Sequence, residues 1–117
     1  MEQESIFLQV FGSSPKMKVL DFLLTHQAFD YSMTEIAQKT YVSYPIVANT
    51  MEDFLRNGIV IGTRKIGKAR LFKLNTESEL VRQLLRLQWN MTKIHAVLTP
   101  SIYEDMPEGD NHPVFPA

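Results

Sequence analysis

The chain has 117 residues, a length typical of a single domain, and 44% of them are hydrophobic. It contains no cysteine, which excludes a disulfide framework and a thiolate metal site. No apolar stretch approaches the roughly 20 residues of a membrane span, and acids stand where a signal peptide carries cations. We therefore expect a soluble, cytoplasmic protein that has no membrane partner.

The formal net charge is −1, but the charges are unevenly distributed along the chain. Residues 99–117 contain four acids and no Lys or Arg, so the remainder has 12 cations against 9 acids. Five of these cations surround Gly67 within residues 64–73. They are Arg64, Lys65, Lys68, Arg70 and Lys73. Such a basic segment indicates contact with a polyanion, although lysines also occur on strand edges, where they discourage edge-to-edge pairing.

Two helices are predicted in the first third of the chain, after an N-terminal segment of residues 1–13 that favours a short helix. Ser14 and Pro15 are typical of a helix start, and the apolar pattern continues to about His26. Ser32 and Glu35 have the spacing of a capping box and predict a short helix over the sequence MTEIAQKT. A brief break follows this helix.

The next predicted helix begins at Ser43, has Pro45 in its first turn and ends at Asn57. A left-handed cap at Gly58 is expected to follow it. Its apolar stripe consists of Val47, Met51, Phe54 and Leu55. On the opposite face, Glu52 and Arg56 are four residues apart and are expected to pair, which leaves Asp53 unneutralised.

Two β-rich runs, IVIGTRK and ARLFKLN, come next, and Ile66-Gly67-Lys68 between them predicts a hairpin tip. Two strands alone are marginally stable, so the hairpin is expected to lean on the helices.

Residues 76–98 predict a long helix that starts near Thr76, which has capping-box spacing to Glu79. Its apolar residues are spaced as a three-heptad seam. They are Leu80, Leu84, Leu87, Met91, Ile94 and Leu98. The seam predicts a homodimer interface, and the alternative is a helix that packs back on its own domain. Residues 99–117 predict an acidic, proline-rich flexible tail.

The order of these elements resembles that of the winged helix-turn-helix family of DNA-binding proteins, in its compact ArsR/MarR-like form. TEIAQKTYVSYPIVANTMEDFLRNGIV is similar to the two-helix core of that family, and RKIGKARLFKLN is similar to its wing. VFGSSPKMKVLDFLL resembles the first-helix entry. The resemblance covers about residues 6–75. It implies a mainly α fold with a small β-hairpin, an α+β class, in which residues 14–75 form the winged domain and a long C-terminal helix dimerises.

The same resemblance implies a transcriptional regulator that binds double-stranded DNA as a homodimer. The helix after the tight turn would read bases from its N-terminal half, and the wing would contact phosphates or the minor groove. The candidate reading residues are Ser43, Tyr44, Pro45, Ile46, Asn49 and Thr50. This sequence departs from the pattern in two ways: the turn KTYVS has no glycine, and the reading helix is poor in cations.

Other classes of function find less support in the sequence. A winged helix that binds another protein without reading DNA stays open as the alternative, and the acids of the reading helix favour it. A ligand sensor is a third possibility, with no effector indicated. His26, His95 and His112 are far apart in the sequence and no catalytic motif is present. We therefore expect no enzyme, no metal site and no cofactor.

Overall fold

The structure is a computed structural model that describes residues 4–105, and for residues 98–105 it describes the backbone only. Within this range the chain forms five helices and three strands. In order they are α1 (Ile6–Phe11), α2 (Pro15–Thr25), β1 (Tyr31–Ser32), α3 (Met33–Thr40), α4 (Tyr44–Arg56), β2 (Val60–Ile66), β3 (Ala69–Leu74) and α5 (Glu79–Asp105). The fold is mainly α with a small antiparallel sheet, as the sequence predicted.

Three helices start directly after the predicted serines, and in two of them the serine hydroxyl accepts a capping hydrogen bond. The Ser14 hydroxyl accepts from the backbone N–H three residues later, at 3.2 Å. Ser32 and Glu35 form the complete capping box, with the two reciprocal hydrogen bonds at 3.1 and 2.8 Å. Ser43 precedes α4 as predicted, but its hydroxyl makes no capping hydrogen bond. This hydroxyl therefore adds nothing to the stability of the α4 N-terminus.

The turn between α3 and α4 depends on a tyrosine in an unusual conformation. Tyr41 has φ 60°, in the left-handed region that glycine adopts most readily. For a residue with a Cβ atom this conformation costs roughly 1–2 kcal/mol. The Tyr41 side chain is 92% exposed, so little packing within this chain offsets that cost. The turn closes without glycine because α3 and α4 pack against each other on both sides of it.

The predicted hairpin is confirmed along its whole length. β2 and β3 pair from Val60 opposite Leu74 to Ile66 opposite Ala69. The reversal at the tip passes through Gly67 at φ 63°, which a glycine adopts without steric cost. The hairpin therefore projects from the domain as a wing, with its tip at residues 66–69.

The sheet has a third strand that the sequence reasoning missed. β1 pairs antiparallel with β3, with Tyr31 opposite Phe72 and Ser32 opposite Leu71, so the strand order is β1-β3-β2. A strand of two residues is too short to produce an alternating pattern, which is the signal that identifies strands. β1 fastens the wing to the loop that precedes α3.

One core joins the helices to the sheet. Its buried side chains are Phe7, Val19, Leu20, Leu23, Leu24, Ile36, Val42, Val47, Met51, Phe54, Val60, Phe72, Leu74 and Val81. The predicted α4 stripe lies here, with Val47, Met51 and Phe54 buried and Leu55 half-buried. Val81 is fully buried and anchors the start of α5, while Phe7 anchors α1.

Two features of α5 correct the prediction made for it. The helix begins at Glu79, and the hydroxyl of Ser78, not that of Thr76, accepts the hydrogen bond of the first turn, from Val81 N at 3.3 Å. Its backbone continues through Pro100 to Asp105, beyond the predicted end at Leu98. Proline inside a helix removes one backbone hydrogen bond and its ring crowds the preceding turn, which is why the sequence predicted an end at this point. Residues 106–117 of the expected tail lie outside the described residues.

No helix within residues 4–105 combines the length and the apolar character needed to cross a membrane.

Candidate nucleic-acid interface

The N-terminal half of α4 presents a mixed polar and apolar surface. Its exposed side chains are Ser43, Tyr44, Pro45, Ile46 and Asn49. Thr50, which the sequence reasoning placed with them, is only 7% exposed and does not belong to this surface. Thr50 lies three residues after Val47 and four before Phe54, both buried, so the helical repeat brings it onto the same inward face.

The acids of α4 are arranged differently from the expectation. Arg56 pairs with Asp53 and not with Glu52. Lys16 of α2 lies 3.6 Å from the same Asp53 carboxylate, so two cations neutralise it. Glu52 is the exposed acid of this helix. Because Lys16 of α2 adds a positive charge next to Asp53, the surface that α2 and the C-terminal half of α4 form together is less acidic than the sequence of α4 suggests.

The wing carries its basic cluster on an exposed surface. Residues 61–70 are exposed at every position, and Lys65 lies opposite Arg70 in the register. Lys68 lies in the turn, while Lys73 is half-buried nearer the base. Within residues 4–97, none of these four cations forms an ion pair with a carboxylate. Their charges are therefore available to an external anion.

Arg70 is held over an aromatic ring. Its guanidinium lies 4.9 Å from the centre of the Phe72 ring, within the range of a cation–π contact. Phe72 is itself buried, so the ring is a fixed support. This contact restricts the directions that the Arg70 side chain takes.

Arg64, the fifth cation, is engaged within the protein. Its Nε and Nη2 atoms donate to the two carboxylate oxygens of Asp30 at 3.0 and 3.2 Å. The Thr63 hydroxyl donates to the same carboxylate at 2.6 Å. The hydrogen bonds from Arg64 and Thr63 lower the pKa of the Asp30 carboxyl to about 2.

This lowered pKa predicts an acid-dependent contribution of Asp30 to stability. A carboxyl whose pKa is depressed by folding stabilises the protein above its unfolded pKa, about 4, and the effect is lost as the pH falls toward about 2. Wild type is therefore expected to exceed Asp30→Asn in melting temperature at about pH 5, and the difference should shrink toward zero near pH 2. Thermal unfolding across this range measures it, and a difference that does not depend on pH would contradict it.

A groove brings the wing and the start of α4 together. Its volume is about 440 Å³, and its lining comes from the start of α3, the first residue of α4 and the wing. The lining residues are Ser32, Met33, Thr34, Tyr44, Lys68, Ala69, Arg70 and Phe72. Two unpaired wing cations and a candidate reading residue, Tyr44, therefore line the same groove, although about 25 residues separate them in sequence. We refer to this feature as the wing groove.

The predicted seam of α5 divides into exposed and inward positions. Leu80 and Leu87 are exposed, whereas Leu84, Met91 and Ile94 are half-buried. Leu84 and Met91 pack against the core of the same chain, so the alternative that α5 packs back on its own domain holds for part of the helix. The side chain of Leu98 lies outside what the structure describes.

The N-terminal segment forms the short helix that the sequence favoured, α1, but its position beside this seam was not predicted. α1 packs against α5, and its residues Val10 and Phe11 are exposed. The sequence signal for this surface was the apolar run IFLQVF. Only Phe7 of this run is buried in the core, so the run has more apolar side chains than the core of its own chain uses.

These elements constitute a winged helix-turn-helix fold: a helix pair joined by a tight turn, a β-hairpin wing and a long C-terminal helix. A solved structure similar to this chain is the adhesin competence repressor (AdcR) from Streptococcus pyogenes, with a TM-score of 0.56. The similarity covers 84% of this chain and 69% of that one at 16% sequence identity, and it shows the fold. No protein-family model and no curated protein matches the chain.

Proposed function

We propose that this protein is a cytoplasmic transcriptional regulator that binds double-stranded DNA sequence-specifically as a homodimer. The wing groove carries the proposal, because Tyr44 of α4 and the free cations Lys68 and Arg70 line one surface. A duplex with α4 in its major groove would meet the wing at the adjacent phosphates or minor groove. The four wing cations that form no ion pair within the described residues would supply the electrostatic attraction.

Base reading is assigned to the exposed N-terminal half of α4. Asn49 has the side chain that pairs bidentately with adenine in the major groove. Ile46 is 42% exposed and suits contact with a thymine methyl group. Ser43, whose hydroxyl makes no capping bond, is free to donate to a phosphate. Tyr44 and Pro45 complete this surface.

Dimerisation is assigned to α5 together with α1. The exposed Leu80 and Leu87 of α5 and the exposed Val10 and Phe11 of α1 support it, because paired copies would remove this apolar surface from water. A two-fold dimer presents two α4 helices to successive major grooves, about 34 Å apart. The preferred site is then a palindrome.

The regulatory role is supported by the structural neighbour, whose name describes it as a repressor. This chain has the same fold, and repression by occupying DNA needs no catalytic group. The direction of regulation and the effector stay open in this proposal.

A second candidate is a winged helix that binds another protein. Glu52 is exposed on α4, and Tyr44 and Ile46 are exposed apolar side chains of the same helix. A helix surface that combines apolar side chains with an acid suits a protein partner as well as a base edge.

Selection from a random duplex pool, followed by affinity measurements at two salt concentrations, tests the proposal. Four phosphate contacts per subunit give a salt slope of about −7 for a dimer, and affinity should fall about 10⁴-fold between 50 and 200 mM salt. Enrichment of a palindrome with half-sites about 10 base pairs apart is expected. If no duplex is retained even at 50 mM salt, the protein-binding alternative takes its place.

A further inference from the structure

Asp30 links the wing to the body of the domain. It directly precedes β1, and β1 and β2 are the two outer strands on either side of β3. Its carboxylate nevertheless receives hydrogen bonds from Thr63 and Arg64, which belong to β2. One side chain therefore connects the two edges of the sheet. We call these three residues the wing brace.

A β-bulge allows the brace to form. The register of β2 and β3 shifts between Gly62 and Arg64, so Thr63 is an extra residue without a partner. In a regular strand, successive side chains point to opposite faces. A bulge changes that direction locally, and here Thr63 and Arg64 both reach one carboxylate. The bulge is therefore part of the brace.

The brace lies where the wing leaves the core. Leu71, opposite Arg64, is buried, whereas residues 65–70, which lie between this pair and the tip, are exposed on both strands. A two-stranded hairpin without apolar packing is marginally stable and free to bend. The bidentate pair with Arg64 fixes both the distance and the angle between β2 and the loop before β1. The direction of the projecting wing is thus set at this point.

We infer that Asp30 is a positioning residue, which holds the wing at the angle that brings Lys65, Lys68 and Arg70 onto the DNA. The inference rests on the proposed function and deepens it. Asp30 neutralises one of the five wing cations, Arg64, and this pair fixes the direction of the strands that carry the other four. A carboxylate near a DNA-binding surface is otherwise unfavourable, since it repels phosphates.

Asp30 either masks the charge of Arg64 or positions the wing, and these two roles predict opposite changes in DNA affinity for Asp30→Asn. The substitution removes a negative charge and frees Arg64. If Asp30 only masked that cation, affinity would rise and the salt slope would steepen by about one unit per subunit. If Asp30 positions the wing, affinity falls despite the added positive charge. Thr63→Val removes one brace hydrogen bond and leaves the net charge unchanged. Any change in affinity that it causes therefore reflects the position of the wing and not the charge of the protein.

The experiment compares the full-length wild type with Asp30→Asn, Thr63→Val and a charge-matched control, Glu77→Gln, on one duplex at about 0.1 M salt. Glu77 is an exposed acid outside the brace. Asp30→Asn should bind at least about tenfold more weakly, because the loss of even one phosphate contact from the dimer has about that effect at this salt, and Thr63→Val should bind about threefold more weakly. Glu77→Gln should bind as wild type or slightly more tightly.

Amide hydrogen exchange of the free protein provides a second readout. Exchange in residues 62–72 should be faster in Asp30→Asn and Thr63→Val than in wild type, while exchange in α2 stays unchanged. If the wild type binds the duplex and Asp30→Asn binds it equally or more tightly, the inference about Asp30 is overturned and the proposed function is not. A wild type that binds no duplex at 50 mM salt overturns the proposed function, and the inference with it.

Discussion

Replacing Leu80 and Leu87 of α5 with glutamate is expected to give a folded monomer. Leu80 is 52% and Leu87 is 42% exposed, so neither side chain supports the core of its own chain. In the proposed dimer both are buried against the second copy. Each subunit would then bring two unpaired carboxylates into the interface, and an uncompensated buried charge costs about 3–5 kcal/mol. The dimer Kd should therefore weaken by at least about 1,000-fold.

Sedimentation equilibrium at micromolar concentration measures this change, with a thermal melt to verify that the variant is folded. Trp89→Glu serves as the matched control. Trp89 is 60% exposed on the same helix and lies about 200° around the axis from Leu87. Its substitution introduces the same charge away from the seam and should leave the dimer intact. A wild-type protein that sediments as a monomer contradicts the dimer proposal.

Loss of the dimer should also weaken DNA binding. The monomer retains one α4 and one wing, so it contacts one half-site with about half of the phosphate contacts. The salt slope is then expected to fall to about half that of the dimer. An unchanged slope would show that one subunit supplies all the contacts.

Local signals in the sequence predicted much of the fold. A capping box requires only Ser32 and Glu35, three residues apart on one chain segment. The hairpin tip likewise depends on Gly67 and its immediate neighbours. Such features are determined over a few residues, and the structure confirms both.

The errors in prediction arise where distant parts of the chain compete for the same partner. Arg56 was expected to pair with Glu52, four residues before it, but it pairs with Asp53 at the equally compatible spacing of three, and Lys16 from α2 approaches the same carboxylate. Similarly, Arg64 was grouped with the free wing cations, whereas Asp30, 34 residues away, binds it. Helical spacing alone does not reveal such partners, because tertiary packing brings them together.

Thr50 represents a different kind of error. A polar residue on an amphipathic helix favours the outer face, yet Thr50 is buried in α4. The positions of the buried Val47 and Phe54, read with the helical repeat, would have placed it inward. Of the site residues predicted from the sequence, the structure thus buries Thr50 and engages Arg64 within the protein, and the DNA-contacting role of the others stays a prediction.

The wing and α4 are expected to fail in different ways when mutated. Combined replacement of Lys65, Lys68 and Arg70 by alanine should weaken binding to all duplexes alike, because phosphate contacts carry no sequence information. The salt slope should become shallower by about three units per subunit. Fluorescence anisotropy on the selected palindrome and on a scrambled duplex, over a range of salt, measures both effects.

Asn49→Ala should leave the salt slope unchanged and weaken binding to the selected site alone. The lost bidentate contact costs about 1–3 kcal/mol on that site, with little change on scrambled DNA. Lys93→Ala, which removes one exposed cation of α5 outside the wing, is a single-charge control and should change neither slope nor preference. If the wing variant binds as wild type, the basic cluster only protects a strand edge. If Asn49→Ala keeps its full site preference, α4 is not the reader. Because phosphate attraction and base discrimination are carried by separate side chains, the two results are independent, and both failing together would favour the protein-binding alternative.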